Sequence, residues 1–529
     1  MDRVSFDDVL GTNYAPSYNE RCFIQSLVNS MEQELSSLNQ VLLPLLAKRD
    51  KLTDRILAHK TLLTPARRLH PELVSEIFAH AIHSESAEYS GVVFQEYPIQ
   101  LPRPRVTDAP LKLGRICRHW RQIALSTSSL WSAVEIPTNW GAEGLQEWIS
   151  RAGSCSLSFR VYIGEQNGEV LNLLASYQKR WKDVILHFDT SPAERQFVRD
   201  FLESLSCSYD NLQMLDIYCT PPGWKEESHT DIELTLGVGS APNLHSLFLN
   251  APKIKTATLK PLPFPCLKEV RFETDPIPAA DLLTLLQLSP AVEVVYVYVL
   301  YSPDSSDSRH EILTLSNLKH LEISEEWDLE GHPLCPLEKL DLPALERLSF
   351  RVAGRWDLAP PFSPGAKAPQ IRSLIYKSKP PLVSLRIHEF RMPAADIMYC
   401  IPFLPNLSSF DIEYVGAGDD WDGIIQLLTG PIPPSDDTLS GCMCPLLKEI
   451  ILGPDNDVNP DLVAQMILSR SQLGIGKFSR VAVLSCSESD VLAHPEILEC
   501  IANGLKFEGG RRWSRSWEGG VHPVQFEAY

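Results

Sequence analysis

The 529-residue chain has few cysteines, a deficit of positive charge and no long apolar run, and each shortage closes off a class of protein. None of its twelve cysteines stands in a CxxC pair. Cys442 and Cys444 are two apart with no matching second pair, which suits free, mostly buried thiols better than a tetrahedral zinc site. Lysine and arginine number 48 against 67 acidic residues, giving a formal net charge of −19. That balance opposes a phosphate backbone or an anionic membrane surface, so neither nucleic acid nor membrane is an expected partner. The opening MDRVSFDDVLGTNYAP has neither the basic flank nor the apolar run of a secretory signal. The strongest apolar stretch, Ala291 to Tyr301, is too short to span a bilayer and contains Glu293. An intracellular protein is expected, cytoplasmic, nuclear or both.

Catalytic signatures are missing as well. The GIGK stretch at Gly474 to Lys477 is followed by Phe478 where a phosphate loop needs Ser or Thr, and Ser471 takes the place of its first glycine. No Gly-x-Ser-x-Gly elbow and no His-Glu-x-x-His occurs. The fourteen histidines have no metal-ligand spacing, and His80 and His83 read as solvated. The sequence therefore predicts no catalytic residue, no metal and no cofactor, and a chain that is not an enzyme.

What is present begins with a long helical pattern. Ile24, Val28, Met31, Leu35, Leu38, Leu42, Leu45, Leu52, Ile56 and Leu63 follow coiled-coil spacing, interrupted at Arg49 and His59. Pro44 lies inside the run and predicts a kink or two helices. Residues 24–63 read equally as a homodimerisation coil or as a helix that folds back on its own chain.

Between Pro65 and Trp131 two further helical patterns stand out. Leu69, Leu73, Ile77, Phe78 and Ala81 share one face of a helix, with Pro71 suited to its first turn. Leu113, Ile116, Cys117, Trp120, Ile123 and Ala124 repeat the spacing, with Arg115, Arg118, His119 and Arg121 between them. The ordered set LHPELVSEIF, LGRICRHWRQIALSTSSLW and a closing Leu-Trp resembles the F-box, and is similar to the expanded F-box families of mushroom-forming fungi. The matches are Leu69, Glu72, Leu73, Val74, Ile77 and Phe78, then Ile116, Cys117, Arg118 and Trp120, then Leu130 and Trp131. His70 stands where the family usually has proline, and residues 84–110 form a longer, more polar insert than a compact F-box needs.

The resemblance implies a substrate-receptor subunit of an SCF-type cullin-RING ubiquitin ligase. Leu69, Pro71, Glu72, Leu73, Val74, Ile77, Phe78, Leu113, Ile116, Cys117, Trp120, Leu130 and Trp131 would then face an SKP-family adaptor, and through it a cullin. The alternative is a repeat scaffold outside any ligase, its F-box-like helices serving as an N-terminal cap. A third reading, an α/β-repeat enzyme, has no motif to support it.

After Trp131 the helical period gives way to a six-residue pattern, Leu-x-x-Leu-x-Leu with other apolar residues allowed. It occurs at Trp181 to Leu186, Leu212 to Ile217, Leu244 to Leu249, Leu267 to Phe272 and Val292 to Val297. It returns at Leu318 to Ile323, Leu345 to Phe350, Leu382 to Ile387, Leu407 to Ile412 and Leu447 to Leu452. The alternation at the end of each unit predicts a strand, and several units open on Pro-Asn-Leu or a variant, as at Pro242, Pro405 and Pro445. Helices are predicted between strands at 170–178, 193–206, 280–288 and 460–469, with long loops at 353–370 and 416–444.

The expected fold is α+β: an N-terminal helical segment (1–63), a three-helix F-box with its insert (64–137), an irregular α/β solenoid of divergent leucine-rich repeats (138–502) that binds an unknown target protein, and a tail (503–529). Basic and aromatic residues alternate in that tail, at Arg511, Arg512, Trp513, Arg515 and Trp517, and it reads as a solvated or docked terminus.

Overall fold

The computed structural model describes residues 5–63, 65–84, 101–189, 194–205, 208–220, 240–250, 264–300, 312–326, 337–353, 368–388, 394–413, 421–430, 443–453, 458–473, 478–483 and 486–510. The GIGK stretch and most of the basic-aromatic tail lie outside these residues, as do residues 85–100 of the insert. The protein mixes helix and strand, with a long N-terminal helix and a large parallel sheet. It divides into two compact units, Met1–Ile77 and Phe78–Tyr529. No helix among the described residues is long and apolar enough to cross a membrane.

The first unit is dominated by α1 (Tyr18–Leu62), a single helix of 45 residues. At its start Glu20 Oε2 accepts a hydrogen bond from the Ser17 N–H at 2.8 Å and Oε1 accepts one from the Tyr14 hydroxyl at 2.9 Å. Those contacts satisfy a donor that helix geometry leaves without a partner. Two separate helices, one of the outcomes Pro44 predicted, do not form: the helix runs through the proline. Pro44 falls two residues after Leu42, off the apolar stripe, so one absent hydrogen bond is set against strong helix formers on both sides. No residue of α1 is buried.

Helix α2 (Pro71–Ser84) begins on its proline as the spacing predicted. It is followed by a 3-10 turn (Leu113–Arg115), α3 (Arg118–Ser126) and a second 3-10 turn (Ser128–Trp131). Cys117 caps α3, its Sγ accepting from the Trp120 N–H at 3.4 Å.

Strands and helices then alternate. The strands are β1 (Ala133–Glu135), β2 (Leu157–Tyr162), β3 (Trp181–Asp189), β4 (Met214–Thr220), β5 (Ser246–Asn250), β6 (Glu269–Pro278), β7 (Val294–Leu300) and β8 (Leu313–Thr314). They continue as β9 (His320–Glu326), β10 (Leu340–Asp341), β11 (Arg347–Ala353), β12 (Ser384–His388), β13 (Ser409–Glu413), β14 (Glu449–Gly453), β15 (Arg480–Val483) and β16 (Lys506–Gly509). Apart from β8 and β10, which pair with each other, they form one parallel 14-stranded sheet in chain order.

All ten six-residue motifs land on strands of this sheet and stay in register, Leu215 beside Leu247, Leu348 beside both Leu321 and Leu385. The opening leucine lies just before its strand and is buried, as at Leu212, Leu244, Leu318 and Leu407. The apolar rows form one side of the core, the helices the other: Trp181 on β3, fully buried, donates its Nε1–H to the Leu174 carbonyl of α5 (Gly168–Ser176) at 3.1 Å. Asparagine before the opening leucine ties consecutive turns together. Asn211 donates to the Lys179 carbonyl at 2.8 Å, Asn243 to that of Asp210 at 2.6 Å and Asn317 to that of Pro290 at 3.2 Å.

Two loop expectations are corrected. Within 416–444 the chain forms a helix, Trp421–Leu428, whose Trp421, Ile424, Ile425 and Leu428 are buried at helical spacing. The stretch 353–370 runs into a helix that begins at Ala368 (Ala368–Ser378). Strands β1, β2, β15 and β16 of the large sheet and the short pair β8 and β10 were not anticipated, because their segments lack a full six-residue motif.

Candidate functional site

The residues that the F-box resemblance singles out sort by burial. Val74, Phe78, Leu113, Leu130 and Trp131 are buried, and Trp120 and Leu69 are half-buried. Pro71, Glu72 and Cys117 are exposed, and so are three large apolar side chains, Leu73 (52%), Ile77 (49%) and Ile116 (57%). A buried side chain has no surface to offer a partner, so fewer residues are available on the surface than the resemblance implies, and the buried members hold the fold. Within the second unit Phe78 packs edge-on against Trp120, ring centroids 5.0 Å apart. Trp131 donates its Nε1–H to the Ala124 carbonyl at 2.7 Å, stands edge-on to Trp148 at 4.8 Å and carries the Arg151 guanidinium 4.6 Å over its ring. The closing Leu-Trp pair is thus the joint between α3 and α4 (Ala142–Arg151), the first helix after β1.

Sequence reasoning did not single out the polar face of the sheet. Residues that alternate with the buried leucines form a continuous row across six neighbouring strands: Arg271, Tyr296, Glu322, Ser349, Arg386 and Asp411. Arg271 pairs with Glu269 at 2.7 Å and lies 4.4 Å from the Tyr296 ring centroid. The Tyr296 hydroxyl is 3.2 Å from His320 Nδ1. Arg386 pairs with Asp411 at 3.1 Å, and His388 Nε2 lies 3.0 Å from the other oxygen of Asp411, too bent for a hydrogen bond. Burial depresses the His320 imidazole to about 4, helped by the positive Arg347, Arg271 and Arg386. Burial also raises the Glu322 carboxyl, while Arg351, Arg386, His388 and Arg271 pull it back.

In a chain of net charge −19, Arg271, Arg347, Arg351 and Arg386 share a face with acids that include Glu269, Glu322 and Asp411, and the register adds Glu413 on β13 and Glu449 on β14. Guanidinium forks beside aromatic rings are suited to gripping carboxylates and carbonyls of another chain. The signal in the sequence was the identity of the "x" residues inside each Leu-x-x-Leu-x-Leu unit, which alternate with the leucines and so share the opposite face.

At the β1–β5 end the polar face is covered by the chain itself. Leu101, from the far half of the insert, is buried with Ile185, Met214 and Phe248, and Ala133 packs against the group. Arg103 pairs with Glu135 at 2.9 Å, and the Glu135 N–H donates to the Pro102 carbonyl at 2.9 Å. Residues 101–110, expected as part of a polar insert, include the buried Leu101, Ala109 and Pro110.

Among the described residues Cys219, Cys400, Cys444 and Cys486 are buried, whereas Cys22 and Cys117 are exposed. Burial pushes the Cys400 thiol up to about 12 and that of Cys486 to about 11. Comparison with protein-family models gives no match, and comparison with curated proteins gives none either.

Proposed function

We propose that this chain is the substrate-receptor subunit of an SCF-type cullin-RING ubiquitin ligase: an F-box docks on an SKP-family adaptor, and a divergent leucine-rich-repeat array holds a target protein. The observation that carries the reading is the packing of Phe78, the aromatic of the Ile-Phe pair, against Trp120 of the Cys-Arg-x-Trp pattern. The exposure of Leu73, Ile77 and Ile116, apolar side chains on those elements, supports adaptor docking. The arginine-bearing polar face of the sheet is where the target binds. The chain itself performs no covalent chemistry; its contribution to transfer is proximity, holding the target within reach of the ligase's other subunits.

The test is association with a purified SKP-family adaptor from a basidiomycete fungus, alongside a Leu73→Asp, Ile77→Asp double variant. Both side chains are already half in water, so the variant keeps its fold while setting two carboxylates where apolar contact is needed. The expected result is binding by the parent and a loss of at least about 100-fold in the variant. Absence of binding by the folded parent overturns the ligase reading in favour of a repeat scaffold outside any ligase.

A further inference from the structure

Helix α1 shows an unusual combination: 45 residues, no buried side chain and an apolar stripe along its length. Ile24 is half-buried, and exposure on the rest of the apolar stripe from Val28 to Ile56 runs from 38% at Val28 to 60% at Leu45. Charge is divided unevenly along the helix. The first half carries Glu20, Glu32 and Glu34 with a single base, Arg21, while Lys48, Arg49, Lys51, Arg55 and Lys60 lie in the second, accompanied by Asp50 and Asp54.

We propose that α1 pairs with α1 of a second copy of this chain, antiparallel, in the register that sets Leu38 opposite Leu42 of the partner subunit.

The heptad phase decides the direction. With Val28, Leu35, Leu42, Arg49 and Ile56 at a positions, Ile24, Met31, Leu38, Leu45 and Leu52 fall at d. In a parallel, in-register pair each a residue meets its own copy, so Arg49 faces Arg49 and, at d, His59 faces His59. The flanking pairs of that arrangement are Glu34 with Asn39, Lys48 with Thr53 and Arg55 with Lys60, none attractive and the last repulsive.

Antiparallel pairing inverts this balance. The register that overlaps the helix along its whole length matches residues whose numbers sum to 80 within the core. It layers Ile24 on Ile56, Val28 on Leu52, Leu35 on Leu45 and Leu38 on Leu42, sets Arg21 beside His59 at the helix ends, and places Arg49 beside Met31, where a long stem can lie along apolar surface with its charge in water. On the flank, Glu34 faces Lys48 twice by symmetry, and Val41 meets Val41 beside the two-fold axis. Pro44 falls at a position pointing away from the seam, so its missing N–H does not disturb the pairing. The two helix dipoles also run in opposite senses. The proposal is independent of adaptor docking, since α1 contains none of the residues assigned to it.

The experiment uses the full chain in a Cys22→Ser background, removing the exposed thiol of α1. Sedimentation should give a dimer, twice the 59.4 kDa chain mass. Glu34→Lys and Lys48→Glu singly should each raise the dimer dissociation constant about tenfold, because two attractive pairs become repulsive, and the double variant should restore it. Leu35→Cys mixed with Leu45→Cys should form a disulfide found by peptide mass spectrometry as 35 to 45, and Leu35→Cys alone should not cross-link to itself. A monomer overturns the proposal. So does a 35-to-35 disulfide, which marks a parallel pair, or failure of the double charge variant to restore a dimer that Glu34→Lys weakens, which marks a register one heptad away. Circular dichroism of every variant verifies that α1 remains helical.

Discussion

Arg470 is 2% exposed, yet its charge is not stranded. Its Nε donates to the Leu428 carbonyl at 2.7 Å, Nη1 to that of Cys444 at 2.9 Å and Nη2 to that of Met443 at 2.5 Å, and its guanidinium lies 5.6 Å from the Phe478 ring centroid. One side chain thereby satisfies carbonyls at the end of one unit and the start of the next. Arg470→Met keeps the volume and orphans those acceptors, so we expect about 3 kcal/mol of destabilisation, read as a lowered midpoint in chemical denaturation. The position was legible in one respect: Val463, Ala464, Met466, Ile467 and Arg470 share one helical face. Nothing in that spacing says that an arginine on a buried face is held by carbonyls contributed from about 26 and 42 residues upstream. Asn243 offers a milder case. Its side chain bridges to the Asp210 carbonyl at 2.6 Å, and Asn243→Ala should cost about 1 kcal/mol in the same measurement.

At the level of the element, the ten motif strands and the helices expected at 170–178, 193–206, 280–288 and 460–469 were legible, and the elements without a full motif or a full amphipathic face were not. A period of two anchored by leucine marks a strand wherever its neighbours carry the same pattern, which is why the ten motifs found their places. The helix Trp421–Leu428 has only two turns and sits among Gly, Pro and Asp, so its apolar spacing was too brief to stand out from loop composition. Strand β9 carries a titratable pair whose behaviour follows from position. His320 is held near 4 by burial, below the 6.5 of a free imidazole, so the unfolded chain takes up a proton that the folded chain refuses. That contribution to stability is complete above pH 6.5 and is lost as pH falls toward 4. His320→Gln removes it, so the parent should lose more stability than the variant between pH 7 and pH 5, measured by denaturation at the two values. Glu322, raised by burial, contributes in the opposite sense in both proteins, and their difference isolates the histidine.

In the second unit taken whole, each strand of the large sheet is hydrogen-bonded only to its immediate neighbours in that sheet, with no return pairing from one end to the other among the described residues. Stability in such an array is a sum of nearest-neighbour terms. A carboxylate at the centre, Leu348→Asp on β11, should therefore strip hydrogen-exchange protection first from β9, β11 and β12 and leave β2 to β4 protected longer; uniform loss would contradict this. The parallel sheet and ten of its fourteen strands could be read from the sequence, because the motif recurs. The covering of the sheet's polar face by Leu101 could not, since one leucine in a proline-rich stretch carries no period. The strand order also bears on how the polypeptide is made. In the large sheet every described strand after β1 has a neighbour that was synthesised before it, so as the chain leaves the ribosome each of these strands finds an edge already made to join.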